Sequence, residues 1–386
     1  MPSLLLPLAG GPTRYEIPDP PSFGPLPTQP ARSRTAFAAA HVVADPAAPQ
    51  GPGLPAAVDW QTTLAFRHHL WSLGLGVADA MDTAQRGMGL DWPATRELIV
   101  RSGAEARAVG GRLACGAGTD QLTAPAPTLK EITAAYEEQI AVVEGAGAAV
   151  VLMASRALAA TASGPDDYAE VYGRLLAQTE RPAILHWLGT AFDPALEGYW
   201  GSADLDLAAA QVLDIIRDHP AKVDGIKVSL LDADREVALR RALPDGVRLY
   251  TGDDFHYPEL ILGDGRGFSH ALLGVFDPLA AHAAAALAAL DRGDRGTYRA
   301  ILEPTLPLAR HLFGAPTRHY KTGVVLLAHL AGHQDHFTMV GGEQGSRSVE
   351  HLAELFRLAA DAGALPDPAL AAARMRAFLA AKGFEA

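Results

Sequence analysis

The sequence predicts a (β/α)₈ TIM barrel with a proline-rich N-terminal arm and extra C-terminal helices, and three observations carry that expectation. Eight short apolar runs recur along the chain at intervals of roughly 20 to 40 residues. A helical pattern stands behind each of them. No G-x-G-x-x-G fingerprint opens the first helix, which counts against the competing doubly wound, dinucleotide-binding arrangement.

In chain order, residues 1–33 hold nine prolines and read as an extended arm, in which LLLPLAGGPTRYEI suits a small hairpin about Gly10 and Gly11. The strand candidates are TAFAAAHVV (35–43), GVADAM (76–81), RLACGAG (112–118) and AAVVLMA (148–154), then PAILHWL (182–188), VDGIKVSLL (223–231), VRLYTG (247–252) and GFSHALLGV (267–275). Asp59 is placed to cap the first helix, and Asp91 with Pro93 starts the second. Thr128 and Glu131 make a capping-box pattern before the third. DPAAPQGPGLP (45–55) is a second Pro/Gly-rich loop, and the last ~90 residues read as helix almost throughout. The expected division is an arm or hairpin at 1–33, a barrel at 34–292 and a helical extension at 293–386 packed on the barrel.

The chain has 386 residues, 49% of them hydrophobic, enough for a large core. A net charge of −12 with scattered Lys and Arg argues against a nucleic-acid partner. No apolar run reaches the ~18 residues of a membrane helix, and MPSLLLPLAGG lacks the basic start of a signal peptide. Cys115 alone excludes an internal disulfide and a Cys-rich metal site. The expectation is a soluble cytoplasmic protein with a small-molecule partner and no membrane.

The informative residue is Lys227, set in the apolar run VDGIKVSLL. With a period of two, Ile226, Val228 and Leu230 share the face that suits the helices, so Lys227 and Ser229 point to the barrel axis. Gly225 is expected to leave room beside the lysine. An inward amine loses its charge by desolvation, and a neutral amine attacks carbonyls to form a Schiff base. Position alone leaves a second reading open, in which Lys227 only neutralises an inward carboxylate.

The segment Gly225-Ile226-Lys227 resembles the G-[IV]-K motif of the dihydrodipicolinate synthase and N-acetylneuraminate lyase family, class I Schiff-base aldolases. Further resemblances follow in order: GVADAMDTAQRGMGLDWPATRELI to the family's second-strand segment, GAGTDQ to its third-strand loop, PAILHWLG to its fifth strand, and YTGDDFHYPELILGDGRGFSHALLGVFDP to its seventh-to-eighth-strand segment. The resemblance covers roughly 35–330 and implies a divergent member: a lyase or hydro-lyase with Lys227 as nucleophile, no cofactor and a homo-oligomeric assembly.

Departures from the family qualify the substrate. His186 stands where the family has its acid/base tyrosine; it is read as the general acid/base, with a core histidine as the alternative. The fourth-strand tyrosines are missing, and Arg156 there is a candidate anion binder or a plain surface arginine. In the second-strand loop only Thr83 matches the Thr-Thr pair that grips a 2-oxo-acid carboxylate. Asp79 or Asp82 would repel such a carboxylate unless Arg86 compensates, so a keto-sugar joins the 2-oxo acids as candidate substrate.

Two other classes stay open. Asp253, Asp254 and His256, joined by His186 and His270, could ligate a divalent metal in a barrel isomerase or lyase; Asp253 is otherwise a helix cap or a pocket-lining residue. His333-Gln334-Asp335-His336 and the run Gly341–Ser346 are weak metal and anion patterns, and His336 or Arg347 could reach substrate if the added helices cover the barrel mouth. A non-catalytic scaffold would keep the barrel and lose the lysine chemistry. The expected site comprises Lys227 and His186 as catalytic residues, with Thr83, Arg156, Asp253 and Ser229 binding substrate, and no metal.

Overall fold

The computed structural model describes residues 2–384, so Met1, Glu385 and Ala386, at the outer ends of the expected arm and extension, lie outside the described residues. Strands β1 (Ser3–Leu8) and β2 (Gly11–Glu16) pair antiparallel as the hairpin expected at Gly10-Gly11, with Gly11 at φ +102. That φ is one glycine adopts freely. The hairpin lies on the C-terminal helices: the Tyr15 hydroxyl donates to Asp361 at 2.6 Å, and the Tyr15 ring meets Phe356 edge-on.

Eight parallel strands then close a barrel: β3 (Ala36–Ala39), β4 (Gly76–Asp79), β5 (Leu113–Ala117), β6 (Ala149–Leu152), β7 (Ala183–Leu188), β8 (Val223–Ser229), β9 (Arg248–Thr251) and β10 (His270–Leu273), with β10 back against β3. Each falls inside one of the eight apolar runs. Helices follow every strand, and their starts obey the local signals. Asp59 accepts from Thr62 N, Asp91 from Ala94 N, and Thr128 with Glu131 makes the full capping box.

The pleat separates two cores. Ile226 and Val228 join the layer between sheet and helices, whereas Phe37, Ala78, Ala114, Val151, Ile184, Tyr250 and Leu272 fill the barrel interior. Ile184 and His186 share the inward face of β7, and His186 is paired in register with Lys227.

Beyond the last barrel helix, Ala280–Asp291, helices Arg295–Leu302, Leu306–Leu312, Tyr320–Leu330, Val349–Asp361 and Pro368–Ala381 form a further layer. It reaches the C-terminal mouth of the barrel. Gln85 Nε2 donates to Val340 O at 2.8 Å, and Phe313 stacks on Tyr320 at 4.4 Å between ring centroids. Gly89 passes so near the chain at Val340 that a Cβ there would sit 2.8 Å from its carbonyl oxygen.

Candidate active site

Lys227 is 8% exposed and projects inward near the C-terminal end of β8, where barrel enzymes assemble their sites. The room for its stem comes from Gly252, just past β9: a Cβ there would collide with Ser229 Oγ and stand 2.7 Å from Lys227 Cε. This corrects the expectation for Gly225, whose missing side chain instead admits the Tyr250 ring, 2.8 Å from where its Cβ would be.

Around the amine, Asp82, Thr83, Ser229, Asp254 and Tyr320 line a narrow cavity with about 10 Å³ free, room for a single water. Burial holds the Lys227 amine below the ordinary lysine range, while the Asp82 and Asp254 carboxylates pull it back up. Asp254, whose Oδ1 accepts from Val275 N at 2.8 Å, has its carboxyl pushed up to about 7 by burial, opposed by that hydrogen bond and by Lys227.

Thr83 Oγ1 and the Tyr320 hydroxyl lie 2.8 Å apart in the same cavity. Burial, then the charge of Asp82, raises the Tyr320 phenol well above its usual range. The neighbouring Lys321 is also buried; its Nζ donates to Arg318 O at 3.1 Å, and desolvation lowers its amine while Asp82 raises it. The Asp82 charge thus opposes the desolvation of two buried lysines, Lys227 and Lys321.

The expected site residues fall at different depths. Thr83 and Ser229 line the cavity. His186 lies one layer beneath, its Nε2 3.3 Å from Ser229 Oγ and its Nδ1 buried without a partner among the described residues. Burial and the Lys227 charge push its pKa well down, so it is a neutral imidazole that meets the cavity through Ser229. Arg156 stands at the rim, its side chain 60% exposed and paired with Asp193. Asp253 is not in the cavity lining: its carboxylate accepts from Phe255 N and His256 N and contacts His256 Nδ1 at 2.9 Å, a turn ahead of helix Tyr257–Leu262, whose N-cap is His256 rather than the expected Asp253.

Other expectations are corrected by where the side chains go. Arg86 does not offset Asp82, because it is bound to Asp120, Gln139 and the carbonyls of Ala80 and Gly116. Asp79 is held by Arg67 at 2.8 Å and by the Ser102 hydroxyl. His270 begins β10 at the opposite end of the barrel, where its Nδ1 accepts from Thr35 N. Among the described residues no group of three or more His, Cys, Asp or Glu side chains is placed to hold a metal. Arg347 is spent on the carbonyls of Gly314, Ala315 and Pro316, and His336 on Thr338 N, so Tyr320 and Lys321 are what the added helices bring to the mouth.

Beside the cavity, and sharing Asp82 and Leu188 with it, lies an open cleft of about 810 Å³ over the ends of β4 to β7. Its lining runs from Gly118–Asp120 through Met153–Ala157 to Leu196.

The model of the family described as "Protein of unknown function (DUF993)" matches residues 4–384. No curated protein matches the chain. Among solved structures, dihydrodipicolinate synthase from Aquifex aeolicus is similar at a TM-score of 0.63 and 12% identity, over 84% of this chain and 97% of that one. The enzyme of the same name from Thermotoga maritima gives 0.61 and 16%, over 86% and 99%, and that from Bacillus clausii 0.62 and 14%, over 85% and 97%. At these identities the likeness is one of fold, shared over nearly the whole of those chains and most of this one.

Proposed function

The chain belongs to the DUF993 family, and from its barrel and its buried amine we propose that it is a class I aldolase-type lyase or hydro-lyase that forms a Schiff base between Lys227 and a small carbonyl substrate. The observation that carries this reading is the inward, desolvated Lys227 amine in a cavity shared with Asp254 and the Thr83–Tyr320 hydroxyl pair.

In this reading the neutral Nζ adds to the carbonyl carbon, and one of its own protons is passed to the carbonyl oxygen to give a carbinolamine. A second proton, from a neighbouring acid, lets that oxygen leave as water and leaves an iminium on Lys227. The iminium then accepts the electron pair of a bond adjacent to the former carbonyl, either carbon–hydrogen or carbon–carbon. Asp254, with its carboxyl near 7, is the proton donor and acceptor beside the amine, and Tyr320 with Thr83 serves the substrate oxygen. His186 acts through Ser229 as a neutral hydrogen-bond partner, a lesser part than general acid/base.

The same reading takes residues 34–292 as the barrel and the segment from 293 onward as completing its site. It also takes the working form to be a cytoplasmic homo-oligomer, which sedimentation of the purified chain tests. No described helix is long and apolar enough to cross a membrane.

Borohydride reduction in the presence of a panel of 2-oxo acids and keto-sugars, followed by peptide mass spectrometry, is the direct experiment. A reduced adduct on Lys227, lost in Lys227→Ala with the activity, supports the assignment. Full activity in Lys227→Ala and no adduct with any carbonyl would sink it. Activity removed by a chelator and restored by a divalent ion would favour metal chemistry instead.

A further inference from the structure

The cavity at Lys227 holds little more than a water, yet it shares Asp82 and Leu188 with a neighbouring cleft of about 810 Å³. That is the size of a site for a substantial ligand, far beyond the few atoms around a reacting carbonyl. The cleft wall includes Leu122, Pro125, Pro127, Met153, Leu188 and Leu196.

Apart from the Asp82 carboxylate and the terminal nitrogens of Arg156 at the rim, the polar side chains on its floor are committed to one another. All five N–H groups of Arg86 are used: Nε and Nη2 on Asp120, Nη2 again on Gln139, and Nη1 on Ala80 O and Gly116 O. Asp120 also accepts from Gln139 Nε2, and Thr119 and Ser155 share a hydrogen bond of 2.6 Å. A polyol lying here would leave hydroxyls without partners, whereas an apolar chain would displace water from apolar walls.

We propose that the cleft receives an apolar substituent, several carbons long, of a substrate whose carbonyl end reaches Lys227 past Asp82 and Leu188. This rests on the Schiff-base reading for its carbonyl end only. It replaces the keto-sugar alternative with a 2-oxo acid or related carbonyl compound bearing an aliphatic or aryl group.

The test uses unbranched 2-oxo acids from pyruvate to 2-oxooctanoate, with fructose as the polyol of similar size. Two readouts run in parallel: borohydride trapping on Lys227, and ligand-induced thermal stabilisation of the wild type and of Lys227→Met, which cannot form an imine. The half-saturating concentration for trapping is expected to fall roughly threefold per added methylene until the cleft is filled. Stabilisation of Lys227→Met should rise along the same series. Ala160→Trp, at an exposed position of the cleft wall, should erase the gain of 2-oxooctanoate over pyruvate.

Equal trapping across the series, or fructose trapped as well as 2-oxooctanoate, would overturn the apolar assignment while leaving the Schiff base intact. Chain-length-dependent stabilisation with no adduct on Lys227 would do the reverse. If the stabilisation of both proteins is independent of chain length, the cleft assignment fails whatever the trapping shows.

Discussion

The Thr83 hydroxyl and the Tyr320 hydroxyl meet at 2.8 Å although 237 positions separate them in the chain. One comes from the loop after the second barrel strand and the other from the start of a helix outside the eight-unit repeat. The C-terminal layer thus supplies a wall of the cavity as well as covering the barrel. Removing that phenol oxygen is expected to lower turnover by about two orders of magnitude, the usual contribution of a placed acid/base group. Tyr320→Phe should keep its fold, because the ring still stacks on Phe313, and should still be trapped on Lys227. Unchanged turnover in Tyr320→Phe would assign the hydroxyl pair to structure alone.

The pH profile of trapping reports the charges around the lysine. Burial lowers the Lys227 amine, and Asp82 and Asp254 each raise it. Taking away either negative charge must therefore lower it further. Trapping of a fixed carbonyl should rise with pH as the amine loses its proton, with a midpoint below the ordinary lysine value. Asp82→Asn should move that midpoint to lower pH, as should Asp254→Asn, each measured as initial adduct formation across the range. A midpoint that stays put in both variants would mean that the carboxylates do not act on the amine.

A buried carboxyl away from the site sets a stability dependence. Glu236 accepts the hydroxyls of Thr251 at 2.9 Å and Ser269 at 2.7 Å, and burial, against those two bonds, pushes its carboxyl up to about 8. Its folded-state value exceeds the unfolded one, so the native state holds the proton over the interval between them. The stability it contributes is complete below about 4.5 and fades as pH rises toward 8. Glu236→Gln should abolish this fall. At pH 8 the variant should exceed the wild type by roughly 1 to 3 kcal/mol, from about 1.4 kcal/mol per pKa unit discounted for relaxation. Urea midpoints at pH 5 and pH 8 measure it, and parallel losses in both proteins would refute it.

The barrel is legible in the sequence because its strands are buried on both faces. Runs such as AILHWL (183–188) read as nearly continuous apolar segments, and Asp59, Asp91 and Thr128 mark the helix starts behind the first, second and third strands. Lys227 is legible for the opposite reason, as a charge set into such a run. Tyr320 and Lys321 are not, since nothing in TRHYKTG tells which of its side chains a later packing step will turn into the barrel mouth. Asp253 and Asp254 are adjacent carboxylates that local pattern cannot rank. The loop ties its own backbone with the first, in a turn, and points the second at the lysine cavity.

Two glycines separate the shape of the cavity from the stability of the strand. Gly252 lacks a side chain where one would strike Ser229 Oγ and press on Lys227 Cε at 2.7 Å. Gly225 lacks one where it would strike the Tyr250 ring at 2.8 Å and the Arg248 carbonyl. In Gly252→Ala the lysine stem has to move, so trapping on Lys227 should fall by about tenfold or more in protein that is still folded. In Gly225→Ala the clash lies beneath the site, in the packed interior, and the cost is one of overpacking, about 1 to 3 kcal/mol of stability. Its folded fraction should trap carbonyls at close to the wild-type rate. Adduct formation normalised to native protein distinguishes the two, and equal rates in both variants would mean that Gly252 does not shape the approach to the amine.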